Sequence, residues 1–281
     1  MKRHYITLAL LVLTACTKNA PNPGPLDASG TGKLARYNLG VGDYDPRPVT
    51  TFILSYDSAD RVTDVFEKAG QTQISYNLSY NGTRLATSSD NNLGVQTYTF
   101  DASGRITHID YTTPLTVGKR VYTYDGAGKL LSVLDSVTNP PNFPIQSLYV
   151  FTYDAAGANV TEIDQSSLDL SGRPTLRQVS TYTFDDKPNP FQGFPPLLDV
   201  HQLPGDIAAT VNKNNVLYTR IDGTVPVTST GGSVPTLDTL VNYASTRVYT
   251  YNAKGYPSSC TESFQDIQYN YTGSRNFSYD Y

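Results

Sequence analysis

The chain has 281 residues, of which 21 are lysine or arginine and 25 are aspartate or glutamate, so its formal net charge is −4. A mildly acidic chain without a basic run is atypical of nucleic-acid-binding proteins and of proteins that hold a membrane through a polybasic patch. Two cysteines and three histidines leave little material for a disulfide framework or for a histidine metal site.

The first 15 residues are predicted to be a lipoprotein signal peptide. Residues 1–4 read MKRH, residues 5–13 are mostly apolar, and residues 13–16 read LTAC. This order is typical of a secretory signal, and the apolar segment is too short for a permanent membrane-spanning helix. Residues 13–16 resemble the lipobox of bacterial lipoproteins, which implies cleavage after residue 15 and lipidation of Cys16. The alternative is an ordinary secretory signal in which Cys16 is incidental.

Residues 16–36 are predicted to be a lipidated cysteine and a flexible tether. The segment 17–32 contains six proline or glycine residues and has no hydrophobic period. Residues 37–281 are long enough for a single β domain.

Lipidation of Cys16 leaves Cys260 without a disulfide partner. We expect Cys260 to be a buried small hydrophobe, because PSSCTESF (257–264) offers no basic neighbour that would stabilise a thiolate.

One pattern of about a dozen residues recurs along this domain. It reads YTFDASGRITHI from residue 98, YTYDGAGKLLSV from residue 122 and FTYDAAGANVTEI from residue 151. Aromatic and small polar residues alternate with a period of two, which indicates a strand. The aspartate then starts a turn, and the glycine three residues later suits a positive φ. Each unit is therefore predicted to be a β-hairpin, and the domain to contain roughly 12 to 16 antiparallel strands.

Two irregular units also fit the hairpin interpretation. Asp60 replaces the glycine of the pattern, and aspartate is among the residues that tolerate the left-handed region. A unit with a shorter turn carries Asn81 and Gly82, the pair preferred in two-residue type I′ turns. Turn length and turn chemistry change together in these units.

The units resemble the YxYDxxGR/K repeats of YD-repeat shells in Rhs and teneurin-type toxins, most clearly at residues 98–105 and 122–129. The lipobox, the hairpin units and DDKPNPF (185–191) together resemble the DUF4595 family of small secreted lipoproteins from Bacteroidetes-type bacteria. That resemblance implies an all-β fold in which repeated antiparallel β-hairpins form one strongly curved, porin-like sheet, either barrel-like or half-barrel. It implies no catalytic residue and no cofactor. Polar outward positions in QTQISYNLSY (71–80) predict a soluble domain rather than a membrane barrel.

The 22 tyrosines are interpreted mainly as core residues and cross-strand ladders. The alternative is a platform of aromatic rings that stacks on sugars or peptides. For that alternative, the candidate ligand or partner contacts are Phe191, Phe194, Tyr98, Tyr122 and Tyr124.

The sequence supplies no motif for catalysis or for metal binding. Its glutamates are only Glu67, Glu162 and Glu262, and most aspartates occupy predicted turns, which disfavours a carboxylate-pair glycosidase. His108 falls in a predicted strand and His201 in a proline-rich loop, neither at a metal-ligand spacing. No GxSxG elbow or calcium loop is present.

Two segments interrupt the repeat. Residues 185–206 contain five prolines, and we favour a plug over the open end or edge of the sheet rather than an exposed recognition loop. Residues 222–240 are rich in threonine, serine and glycine and are predicted to be a mobile surface loop with a possible partner contact.

The sequence therefore predicts a non-enzymatic lipoprotein of the cell envelope, with a binding or structural role. Its expected partners are the membrane, through the lipid, and a glycan or an envelope protein. A glycan-binding accessory lipoprotein is the alternative, and an envelope hydrolase is less favoured. The outer membrane is the expected location. The absence of an acidic run after Cys16 favours its periplasmic face, and surface exposure is the alternative.

Overall fold

The computed structural model describes residues 33–41, 49–90, 94–114, 116–138, 145–168, 174–192, 211–227, 236–267 and 270–281. The predicted signal peptide, Cys16 and the tether up to residue 32 lie outside these ranges. Within them, no helix has the length and apolar character needed to cross a membrane. The described residues form sixteen β-strands: β1 (Arg36–Val41), β2 (Thr50–Tyr56), β3 (Val62–Ala69), β4 (Thr72–Asn81), β5 (Arg84–Asp90), β6 (Val95–Phe100), β7 (Ile106–Thr112), β8 (Val117–Tyr124), β9 (Leu130–Val137), β10 (Ile145–Tyr153), β11 (Val160–Leu168), β12 (Pro174–Pro188), β13 (Asn214–Val227), β14 (Thr236–Tyr251), β15 (Pro257–Asp266) and β16 (Tyr271–Asp280).

The strands form a closed antiparallel barrel in which each strand pairs with its neighbours in sequence. β1 also pairs with β16, with Tyr37 opposite Tyr279, and this seam closes the barrel. The predicted barrel-like sheet of antiparallel hairpins is confirmed. The barrel is closed rather than half-open, because a seam between the two ends of the sheet leaves no free edge.

The hairpin turns have the chemistry that the repeat predicts. In the turn after β8, Oδ1 of Asp125 accepts hydrogen bonds from the backbone N–H groups of Ala127 and Lys129, at 2.9 and 2.8 Å. Gly128 has a φ of 87° and donates its N–H to the carbonyl of Asp125 at 3.0 Å. The same side-chain cap recurs at Asp57, Asp101, Asp154 and Asn252. The repeat therefore encodes a hairpin turn.

Gly126 and Gly128 offer a matched pair of substitutions within that turn. A Cβ at Gly126 would meet nothing within 4 Å, and its φ is not positive. We expect Gly128→Ala to lower the free energy of unfolding by about 1–2 kcal/mol, the cost of a left-handed conformation for a residue with a Cβ. Gly126→Ala should change it by less than about 0.5 kcal/mol. Urea denaturation of both variants measures the difference, and equal effects would contradict this turn geometry.

The two irregular turns have different outcomes. Asp60 has a φ of 66°, so the prediction that it takes the place of the turn glycine is confirmed. The type I′ turn predicted at Asn81 and Gly82 is wrong. Asn81 pairs with Arg84, so the two turn residues are Gly82 and Thr83, and only Gly82 has a positive φ. A positive φ at the first turn residue alone indicates type II′.

Three hairpins are also held to the preceding one by the last aromatic residue before the turn. Tyr80, Tyr124 and Tyr153 donate hydrogen bonds to backbone carbonyls of the preceding hairpin, at 2.8, 2.9 and 3.1 Å. A basic side chain from that preceding turn lies over each of the same rings, and the three are Arg61, Arg105 and Lys129. The aromatic and basic positions of the repeat therefore join neighbouring units.

Alternate side chains point into the barrel and form its core. One core cluster includes Phe52, Val65 and Ile109, all with no exposed surface, and a second cluster includes Val133 and Val160.

Because neighbouring strands are antiparallel, the turns after the even-numbered strands lie at one end, which we call the turn end. The opposite end is the loop end.

The predicted surface loop at residues 222–240 is wrong in part. Residues up to Val227 extend β13, residues from Thr236 begin β14, and the two strands pair as far as Val227 opposite Thr236. Valine, leucine and threonine are frequent there, and their strand propensity outweighs the nearby glycines and serines. Residues 228–235 lie outside the described ranges.

Candidate functional site

Of the five aromatic residues named from the sequence, the four that the structure describes lie inside the barrel. Tyr98 is 6% exposed, and its hydroxyl donates to Oε1 of Gln96 at 2.9 Å. Tyr122 packs against both core clusters. Burial raises the pKa of Tyr122, and it raises the pKa of Tyr124 to about 12. Tyr122 lies near Tyr98 and Tyr124. Phe191 lies elsewhere, in the segment that follows β12. Phe194 and His201 lie outside the described residues.

Phe191 closes the turn end of the barrel. Its side chain is 4% exposed and meets the ring of Tyr37 edge-on, with the centroids 5.3 Å apart. Asn189 holds this segment: its Nδ2 donates to the carbonyl of Asn212 at 2.9 Å, and its Oδ1 accepts from the N–H of Phe191 at 3.0 Å. The described part of the proline-rich segment therefore packs inward, as a plug does.

A small cavity lies beneath Phe191. Its volume is about 30 Å³, and its lining combines aromatic rings, among them Tyr249 and Tyr279, with Arg247 and Cys260. That volume holds one or two water molecules and no organic ligand. Burial raises the pKa of Cys260 to about 12, so the thiol stays protonated at neutral pH. The prediction of a buried cysteine is confirmed, since Cys260 is 2% exposed.

A polar and aromatic surface continues from this cavity toward the loop end, on the inner face of the last three strands. Cross-strand pairing arranges nine residues in three rungs, which we call the inner wall. The lower rung is Arg247, Glu262 and Arg275; the middle rung is Ser245, Phe264 and Gly273; the upper rung is Tyr243, Asp266 and Tyr271.

The lower rung is a buried ion cluster. Glu262 is 1% exposed, and its Oε1 lies 3.1 Å from Nη2 of Arg247. Oε2 lies 3.6 Å from Nη1 of Arg275, and the hydroxyl of Tyr243 donates to Oε1 at 3.3 Å. A carboxylate removed from water in this way is tolerable only when it is paired, and Glu262 is paired on both sides.

In the middle rung, the ring of Phe264 lies along the wall, over Gly273. A Cβ at Gly273 would lie 2.6 Å from Phe264, so only glycine leaves room for this ring. The guanidinium of Arg275 lies over the ring, 4.6 Å from its centroid. The rings of Tyr243 and Tyr271 flank Phe264, with centroids 5.9 and 5.7 Å away. Aromatic side chains therefore cover the wall from β14 to β16.

The upper rung is the part of the wall that solvent reaches. The exposed fraction is 1% at Glu262 and 38% at Tyr271, and the next described residue after β15, Ile267, is 45% exposed. Asp266 lies between Tyr243 and Tyr271 in the register. The upper rung thus places a carboxylate between two tyrosines, close to water, and the lower rung beneath it is buried. Such an arrangement is typical of ligand sites.

Sequence reasoning did not single out any residue of the inner wall as a site. In the sequence, Glu262 is one of three glutamates, and no motif surrounds Arg247 or Arg275. The available signal was that aromatic and charged residues occupy positions on one face of each strand, namely Tyr243 and Arg247 on β14 and Tyr271 and Arg275 on β16. That signal acquires meaning only through the register, which places these side chains beside one another.

The groups considered for catalysis do not meet in the described residues. His108 lies on the outer face of β7, where its Nε2 is 3.4 Å from Oδ2 of Asp110. Glu67 is 8% exposed and accepts a hydrogen bond from Tyr76 at 3.4 Å. Across the described ranges, no group of three or more histidine, cysteine, aspartate or glutamate side chains is placed to hold a metal ion.

Comparison with known proteins shows the fold. No family model and no curated protein sequence matches the chain. A porin-like protein from Bacteroides uniformis is 16% identical, with a TM-score of 0.57 over 88% of this chain and 96% of that one. A porin-like protein from Bacteroides vulgatus is 12% identical, with a TM-score of 0.54 over 89% and 98%. The chain therefore has a porin-like, all-β barrel fold.

Proposed function

We propose that this porin-like barrel is a non-enzymatic, lipid-anchored protein of the cell envelope that stands in water and binds a ligand or a partner. A porin spans the bilayer with its strands, whereas this barrel is held at the membrane by its lipid alone. The outer membrane is the proposed site, with the barrel facing the periplasm.

The polar outer face of the barrel carries this proposal. On β15 and β16 the outward pairs are Ser259 with Ser278, Thr261 with Asn276, and Ser263 with Ser274. On β11 and β12, Arg177 and Asp164 form an outward ion pair at 2.7 Å. A membrane barrel presents an apolar band about 25 Å tall around its circumference. These hydroxyls, amides and charges occupy the positions that such a band requires.

Apolar side chains on the outer face do not supply that band. Val121, Leu131 and Val150 are 40–43% exposed on β8, β9 and β10, and Val95 on β6 and Val117 on β8 are 53% and 44% exposed. Val248 on β14 is 67% exposed, with Thr246 and Thr250 as its outward neighbours. These scattered apolar side chains, with threonines between several of them, are compatible with a surface in water.

The filled turn end supports the same proposal. Phe191, Tyr37 and Tyr279 pack against one another there, and the described cavity beneath them admits only water. A conducting pore needs a continuous aqueous lumen. The described interior is closer to a cup that is packed at the turn end and reached by solvent at the loop end.

Cys16→Ser tests the anchor and the outer face together. Loss of the acyl chains should move the protein from the membrane pellet to the soluble fraction, because lipid anchoring depends on them. Cys260→Ser is the matched control and should stay in the pellet. Fractionation of envelopes followed by immunoblotting measures both. If the Cys16→Ser protein still resists a carbonate wash after its signal segment has been removed, the strands themselves hold the bilayer.

A further inference from the structure

We propose that the upper part of the inner wall binds an uncharged saccharide. The ring of Tyr271 stacks on the sugar, while Asp266 and Arg275 make hydrogen bonds with its hydroxyl groups. This inference rests on the proposed binding function and names the ligand class and its site.

The stacking surface is the most accessible ring of the wall. Tyr271 is 38% exposed and meets Phe264 at an interplanar angle of 50°, so the two rings are tilted rather than face to face. An accessible aromatic ring attracts the apolar C–H groups of a sugar. Tyr243 continues this surface on the other side of Asp266.

Donors and acceptors lie beside that ring. Asp266 is the direct cross-strand partner of Tyr271, and a carboxylate has about four acceptor positions. Arg275 has five N–H donors, its side chain is 36% exposed, and its ion pair with Glu262 is long, at 3.6 Å. Phe264 holds the guanidinium in place. Neighbouring sugar hydroxyls need both an acceptor and a donor, and the wall presents the two together.

The charges of the wall favour a neutral ligand. Its charged groups are Arg247, Arg275, Glu262 and Asp266, and the two positive charges balance the two negative ones. An anionic ligand on Arg275 would approach Asp266, and a cationic ligand on Asp266 would approach Arg275. A saccharide without charge meets neither repulsion, so it is the class of ligand that this set recognises.

The test is isothermal titration of the purified protein with neutral oligosaccharides and with charged ones. The neutral probes are maltoheptaose, cellohexaose, xylohexaose and mannohexaose, and the charged probes are trigalacturonate and a heparin hexasaccharide. We expect at least one neutral probe to bind and the charged probes not to bind. Preferential binding of a charged probe, or no binding of any neutral probe, would overturn the proposal.

Variants then locate the site. Tyr271→Ala and Asp266→Asn should each weaken the binding of the neutral probe at least tenfold, while Thr272→Ala, on the outer face of the same strand, should leave it unchanged. Unfolding midpoints of all three variants should stay well above the titration temperature, which separates lost contacts from lost folding. Unchanged affinity in Tyr271→Ala would refute this location. The outcome for Cys16→Ser is independent of these titrations, so failure of the saccharide site leaves the anchor proposal to its own test.

Discussion

Replacement of Glu262 by alanine is expected to lower the free energy of unfolding by about 3–5 kcal/mol. Glu262 is 1% exposed and balances the charge of Arg247, whose side chain is only 16% exposed. Removal of the carboxylate leaves that guanidinium in the barrel interior without its counter-charge. Urea denaturation, followed by the circular dichroism of the sheet, measures the loss.

A double replacement separates the charge from the packing. Arg247→Met combined with Glu262→Leu removes both members of the ion pair and keeps apolar volume, so it should recover most of the stability lost in Glu262→Ala. Arg275 is 36% exposed in its side chain and can turn toward water in this variant. If the single and double variants lose equal stability, the ion pair is not what makes Glu262 important.

The second large effect is expected at the plug. Phe191→Ala should lower the free energy of unfolding by about 3–5 kcal/mol, because a ring that is 4% exposed leaves a cavity next to Tyr37 and Tyr279. The adjacent Gln192 is exposed, so Gln192→Ala should change stability by less than about 0.5 kcal/mol. Thermal and urea denaturation of both variants measure the contrast. A small effect of Phe191→Ala would mean that the segment covers the barrel without sealing it.

The hairpins were predictable because their determinants are local. The cap at Asp125 and the positive φ of Gly128 lie within four residues of each other, and the sequence displays them side by side. Closure of the barrel was not predictable in the same way. It depends on the pairing of β1 with β16, whose residues are separated by almost the whole chain. A repeat that specifies neighbouring pairs is compatible with either an open or a closed sheet.

The inner wall escaped prediction for a related reason. Its lower rung joins Arg247, Glu262 and Arg275 across three strands, and a shift of one residue would turn a whole strand's side chains to the other face. The clearest copies of the repeat contain Tyr98, Tyr122 and Tyr124, and these were therefore the tyrosines predicted as ligand contacts. In the structure, Tyr98 and Tyr122 are packed in the core. The upper rung of the inner wall, which solvent reaches, lies on the last strands, where the repeat is most degenerate.

The seam between β1 and β16 has a consequence for the order of folding. Until Tyr271–Asp280 has been made, the outer edge of β1 has no partner, and its backbone groups form an open template for strand addition. The intervening hairpins can assemble as they emerge, since each pairs with the one before it. Because this pairing is long-range, we expect closure to be the slow step of folding, and a sheet that has not yet closed exposes two unpaired edges at which chains can aggregate. A chaperone that shields β1 would act during that interval.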